Sequence, residues 1–189
     1  MRKVAVLSAF FLLLTQIPAL FAIEATVATV EGTAEYRLGS SGTWQAVEEG
    51  ITLPAGAHLS TGFRSSLSLT MGRSEVTVGP LSRTTIAELD DERAPLEAGM
   101  DLPYGRLRAR VKTADGERAD FRVRSPISTA AVRGTVFTFD GFALSVAEGD
   151  VELSNRTGQS HSVRAGQVSR TYAFEPIVSV EQTLAEEID

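Results

Sequence analysis

The chain has 189 residues and a formal net charge of −6, from 18 basic and 24 acidic side chains, and it contains no cysteine. That balance argues against nucleic acid as a bulk electrostatic partner. The missing thiols remove thiol catalysis, thiolate metal sites and disulfide stapling, and a chain this long can bury a sizeable core as one domain without a staple.

Arg2-Lys3 give a positive start, Val4 to Leu14 is apolar apart from Ser8, and Thr15, Gln16 and Pro18 end the run before Ala22, a small residue suited to cleavage. This reads as a secretory signal peptide over residues 1–22. The run falls short of the about 20 apolar residues that a bilayer-spanning helix needs, so no stable membrane span is expected after cleavage. Without cysteine there is no lipid anchor of the N-terminal cysteine type. Loss of Arg2 and Lys3 takes the net charge from −6 to −8. The expected location is periplasmic, secreted or at the cell surface.

From residue 24 onward short alternating runs recur, with turn signals about every ten residues. Predicted strands are Ala25–Val30, Ala34–Leu38, Leu67–Met71, Glu75–Val78, Arg83–Ala87, Arg106–Thr113, Ala119–Arg124, Val136–Phe139, Ala143–Ala147, Val151–Ser154, His161–Val163 and Val168–Tyr172. The expected fold is all-β: a sandwich, roll or barrel-like domain of many short strands over residues 23–172. Glu88 to Asp101 carries six acids, one arginine, Pro95 and Gly99, and reads as an exposed connection. Residues 173–189 form an acidic tail. Glu31-Gly32-Thr33-Ala34-Glu35 echoes Glu148-Gly149-Asp150-Val151-Glu152, through either a repeated β unit or reuse of strand–turn chemistry.

Every second residue of Arg106-Leu107-Arg108-Ala109-Arg110-Val111-Lys112 is basic, which sets four cations on one face of a strand and the apolar residues on the other. Ala119, Phe121 and Val123 alternate in the same way with Asp120, Arg122 and Arg124. A hairpin turning at Ala114-Asp115-Gly116 would pair Val111 with Ala119, Ala109 with Phe121 and Leu107 with Val123. It would also set Arg108 opposite Arg122 and Arg106 opposite Arg124, like charges that want an anion. Residues 88–101 carry net −5 and residues 106–133 net +5, so internal compensation is one reading. The other is a partner or anion face of Arg106, Arg108, Arg110, Lys112, Arg122 and Arg124.

Arg133 follows an apolar run and precedes a strand with Phe137 and Phe139, so a partly buried brace hydrogen-bonded between strands is expected. Gly134 beside it can let the backbone bulge, and Thr135 can tie down loose polar groups. Trp44 follows the flexible Gly39-Ser40-Ser41-Gly42 and reads as a core or lid residue, with ligand stacking as the alternative. His58 and His161 have no metal-site spacing, no nucleophile elbow or phosphate-cradling loop occurs, and no carboxylate pair stands out. The reading is therefore non-enzymatic, with no cofactor.

Several of these stretches recur together in one family. Ala131-Val132-Arg133-Gly134-Thr135-Val136-Phe137, then Glu148-Gly149-Asp150-Val151, then Ala165-Gly166-Gln167 resemble the FecR domain family. So do Gly32-Thr33-Ala34, Trp44, Gly50 to Gly56, Leu59-Ser60-Thr61-Gly62 and Ser65 to Leu69; Val136 departs from the charged or polar residue common there. The resemblance covers roughly residues 24–172. It implies a part in cell-envelope signalling or interaction. Regulatory members are typically membrane-anchored, with a cytoplasmic segment that controls a sigma factor, and neither part is legible here. The expectation is a soluble envelope binding module with a cell-envelope protein as partner, or else an anionic envelope polymer or glycan; its oligomeric state is left open.

Overall fold

Left-handed glycines lie at many of the turns between short strands and also inside the two longest strands, and that punctuation sets the architecture. The computed structural model describes residues 24–87, 96–112 and 120–172, the side chains of 96–98 and 120 excepted. The predicted leader, acidic tail, Ala114-Asp115-Gly116 turn and most of the acidic connection lie outside the described residues.

The described residues form fifteen β-strands and no helix: β1 (Glu24–Glu31), β2 (Ala34–Leu38), β3 (Gln45–Ala46), β4 (Thr52–Pro54), β5 (Ala57–Thr61), β6 (Ser66–Met71), β7 (Ser74–Val78), β8 (Arg83–Ile86), β9 (Leu96–Tyr104), β10 (Leu107–Arg110), β11 (Asp120–Arg124), β12 (Ser128–Phe139), β13 (Ala143–Asn155), β14 (Ser160–Arg164) and β15 (Val168–Arg170). The all-β expectation holds.

All fifteen join one sheet, in the order β3-β2-β5-β8-β9-β11-β12-β10-β7-β6-β1-β4, with β13 beside β12 and β14 and β15 beside β13. The order begins and ends on strands consecutive in the chain, so the sheet curls back on itself as two arms. Each of the links β1–β2, β5–β6, β7–β8 and β9–β10 steps from one arm to the other. Backbone hydrogen bonds continue across these corners: the Gly62 N–H donates to the Thr33 carbonyl (2.9 Å), that of Leu81 to Gly62 (3.1 Å) and that of Gly79 to Arg106 (2.8 Å). Buried hydroxyls complete the seam, with Ser82 Oγ accepting from the Arg106 N–H at 2.9 Å and Thr61 Oγ1 from that of Ser82 at 3.0 Å.

β12 and β13 belong to both arms. β12 pairs along one edge with β11 through Thr129–Val132 and then with β10 through Val136–Phe139. Between them lie Arg133, Gly134 and Thr135, where the β12–β13 register shifts. β13 likewise changes partner from β15 to β14. Gly134 (φ 61°) and Gly149 (φ 80°) supply left-handed backbone at this bulge. The Val111 N–H donates to the Thr135 carbonyl (2.8 Å) and the Ala165 N–H to the Gly149 carbonyl (3.0 Å), so the Arg-Gly-Thr, Glu-Gly-Asp and Ala-Gly-Gln motifs fall in one row across the sheet.

The core lies between the arms. Phe121, Val123, Ala130, Leu59 and Ile86 from one arm meet Phe137, Phe139, Leu107, Leu69 and Val76 from the other in a single buried cluster. The Phe121 and Phe137 rings tilt together with centroids 6.4 Å apart, a contact across the bend that contributes about 0.5–1.5 kcal/mol beyond its buried area.

Two expectations are corrected. Leu96–Tyr104, two thirds of it read as exposed connection, is a strand that pairs parallel with β11 and buries Met100 and Leu102. Its sequence mixes the strand with Pro103, Gly99 and acids, so alternation is weak. The β10–β11 hairpin does not exist: both strands lie end to end along one edge of β12, as one strand interrupted at the bulge. Alternation reads a strand's faces correctly but cannot name its neighbour.

Gly149 has no room for a side chain: a Cβ there would sit 2.6 Å from Thr135 Cγ2 and 2.7 Å from the Gly134 carbonyl oxygen. Gly149→Ala should cost about 2–4 kcal/mol, from left-handed strain plus overpacking. Gly158 is also left-handed but open, with nothing within 4 Å, so Gly158→Ala should cost about 1–2 kcal/mol. Denaturant unfolding of the two variants measures the difference, and equal losses would remove crowding at the bulge as a constraint.

Candidate functional site

The basic residues keep their predicted face but acquire different neighbours. Leu107, Ala109, Val111, Phe121 and Val123 are buried, while Arg106, Arg108, Arg110, Lys112 and Arg124 are exposed and Arg122 half-buried. Because β10 and β11 run end to end, the cations form a line along the outside of the sheet. The expected like-charge pairs are absent: Arg108 stands between Thr77 and Thr138, and Arg122 between Gly99 and Ala131. Compensation is internal in part. Arg106 pairs with Asp140 at 3.6 Å, Arg110 and Lys112 with Glu75 at 3.9 and 3.5 Å, and Arg124 with Asp101 at 3.9 Å. Arg108 and Arg122 have no ion pair among the described residues.

Arg133 corrects another expectation. Its side chain is exposed, stands across from Asp150, and makes no hydrogen bond or ion pair among the described residues. The bulge turns it outward to line a shallow cavity of about 300 Å³ with Ala131, Asp150, Glu152 and Ser162. The bracing falls instead to Gly134 and to Thr135, whose backbone ties β10 to β12 while its methyl packs against Gly149; its hydroxyl is buried with no partner among the described residues.

Trp44 is half-buried at the surface and outside the core cluster. The Arg37 guanidinium lies 4.9 Å and that of Arg83 5.2 Å from its ring centroid, and Arg83 also stands 5.8 Å from the Tyr104 ring. The pattern around Trp44 held no hint of this, because Arg37 and Arg83 come from β2 and β8, which are separated by β5. Between them on β5 is His58, directly across from Arg37 and Thr85, with Nδ1 2.9 Å from Thr85 Oγ1. Burial, then Arg37, then Arg83 lower the His58 pKa. His161 Nε2 lies 2.8 Å from Ser169 Oγ, and burial lowers its pKa as well.

Among the described residues no group of three or more His, Asp or Glu side chains is placed to hold a metal ion. No helix of the described residues is long and apolar enough to cross a membrane. The arrangement defines a class: a curled all-β domain whose charged and aromatic side chains are displayed on the outer faces of a continuous sheet.

Residues 57–152, from the start of β5 into β13, match the family described as FecR protein, and the chain belongs to that family. The chain matches no curated protein. Two crystal structures of a putative anti-sigma factor from Parabacteroides distasonis resemble it with a TM-score of 0.53 and 14% identity, covering 68% and 69% of this chain. At that identity the likeness is one of fold. The chain matches 62% and 64% of those chains, less than two thirds of their length. Arg37 and Trp44 fall outside the family match, whereas His58, Arg83, Tyr104, the basic strand and the Arg133–Thr135 bulge fall inside it.

With its guanidinium in solvent, Arg133→Ala should change the unfolding free energy by no more than about 0.5 kcal/mol; a larger drop in denaturant midpoint would restore the bracing role. The histidines set a pH dependence. Their folded pKa values lie below the ordinary 6.5, so below that pH the unfolded chain binds protons that the folded chain refuses. Their contribution is complete above pH 6.5 and is lost as the pH falls from there through the folded values. Melting midpoints from pH 7.5 to 5 should decline, and the decline should be shallower in a His58→Gln, His161→Gln variant.

Proposed function

We propose that this chain is an exported, non-catalytic FecR-type module of the cell envelope that engages a protein partner in envelope signalling or assembly. Family membership supports the envelope role, and so does the fold shared with a protein described as an anti-sigma factor. The observation that carries the binding reading is the line of six cations along β10 and β11. Its ion pairs are exposed and 3.5–3.9 Å long, of the kind that contributes only about 0–1 kcal/mol each. A partner's carboxylates can therefore replace Asp140, Glu75 and Asp101 at little cost, and Arg108 and Arg122 add charge with no carboxylate beside them. Such a face steers encounter and selects partners more than it adds raw affinity. The even spacing of the cations favours a second reading, an anionic envelope polymer or glycan laid along the strand. Neither reading uses a cofactor.

The test is capture from a native envelope fraction at low and high salt, by the full chain and by a variant with Arg106, Arg108, Arg122 and Arg124 all changed to Gln. The expected result is a specific protein retained by the wild type, and retained several-fold less by the variant or in high salt. Capture of polysaccharide in its place would select the second reading. Salt-independent capture that survives the four changes would remove the charged strand from both.

A further inference from the structure

The two guanidiniums around Trp44 are brought together against their own repulsion. β2 and β8 are separated by β5, so their backbones stand about 10 Å apart. Yet Arg37 and Arg83 both reach one indole, at 4.9 and 5.2 Å, and Arg83 reaches the Tyr104 ring at 5.8 Å. Neither guanidinium has an ion pair or hydrogen bond among the described residues, and Arg37 Nε is buried with no partner. The carboxylates nearest in register are elsewhere engaged or out of reach. Asp101, across from Thr85, is held by Arg124 at 3.9 Å, and Glu35, across from Ser60, is not within ion-pair distance of either arginine. His58, beneath the pair, has its charged form disfavoured by both. A tryptophan packed against guanidiniums fixes their planes and leaves their terminal Nη–H groups without a partner.

We infer that Arg37 and Arg83, held by Trp44 on the outer face of β2, β5 and β8, form a binding site for a carboxylate side chain of an acidic protein segment. The inference rests on the reading of the chain as a protein-binding module and names a site distinct from the β10–β11 line. Guanidinium edges pair bidentately with carboxylates. A sugar ring would compete for the indole ring over which both guanidiniums already lie. A groove of about 470 Å³ begins at Glu35 and Ser60 on the same strands and continues along Val30, Gly32, Ala34 and Val47. The groove lining includes neither arginine nor Trp44, but Glu35 stands two residues from Arg37 and Ser60 stands across from Arg83, so an acidic residue at the arginine pair has the groove within reach of an apolar neighbour on the same segment. A free phosphate offers the first contact and not the second.

Trp44 is the single tryptophan of the chain, so its emission reports the site directly. The probe is the capped peptide Ala-Leu-Glu-Glu-Leu-Ala, titrated into the full chain, with Ala-Leu-Gln-Gln-Leu-Ala as control. Two further arms use phosphatidylglycerol vesicles and polygalacturonate. The expected result is a saturable change in Trp44 emission with the acidic peptide and at least roughly tenfold weaker binding of the control. Arg37→Gln and Arg83→Gln should each weaken binding by a similar factor while the melting midpoint holds, and Arg37→Lys should fail to rescue. Trp44→Phe, followed by calorimetry, should keep part of the affinity. Equal binding of the two peptides, binding untouched by both arginine changes, or saturation by vesicles or polygalacturonate with no response to the peptide would overturn the inference. Envelope capture separates this failure from the broader one. A partner retained with undiminished strength by the Arg37→Gln, Arg83→Gln chain overturns this site alone, whereas no partner retained by the wild type overturns the protein-binding reading and the inference that rests on it.

Discussion

One strand cannot lie flat in two sheet arms, so β12 and β13 must bend where they pass from one to the other. That bend is made at Gly134 and Gly149, where left-handed backbone and the absence of a side chain let the two strands cross with Thr135 packed between them. The placement of the other strands follows. β11 takes the edge of β12 before the bend, β10 the edge after it, and β14 and β15 divide β13 in the same way. The two inner faces then meet around Phe121 and Phe137.

The same bend determines what the surface displays. Splitting one basic strand into collinear β10 and β11 spreads its cations into a line and gives each half its own carboxylates. It also turns Arg133 outward. An arginine next to a bulge glycine is easily read as a brace, but the glycine's geometry does the bracing, and the guanidinium is left to solvent beside Asp150 and Glu152. On the far arm the corner links carry neighbouring chain segments to different strands, so that Arg37, Trp44, His58, Arg83 and Tyr104, spread over a long stretch of sequence, share one face.

The two sides of this sheet differ sharply in chemistry. The buried side holds aliphatic and aromatic side chains and a few serine and threonine hydroxyls that carry the ladder around the corners. The outer side holds weak, exposed ion pairs and stacked guanidiniums, which contribute little to folding and can be exchanged for a partner's groups.

Sequence by itself determined the all-β class and many of the strands, because period-two alternation and glycine punctuation are local: Ala34–Leu38 is predicted and found without adjustment, and the buried residues of β10 and β11 are those the alternation assigns, whereas Thr52–Pro54, Ala57–Thr61 and the first part of β12 are not among the predicted strands. It also determined family membership, through short motifs whose spacing survives in the chain. Only the tertiary structure decided the partners of those strands. The hairpin expected between Arg106 and Arg124 satisfied every local rule, and so did the end-to-end arrangement that occurs; the difference lies in β12, which is long enough to cover both halves. Leu96–Tyr104 escaped notice because its strand character comes from pairing with β11, not from its own residues. The arginine pair on Trp44 was illegible for the same reason: its members meet through neighbouring strands, and strand order is a property of the whole curled sheet, to which no single segment of the chain refers.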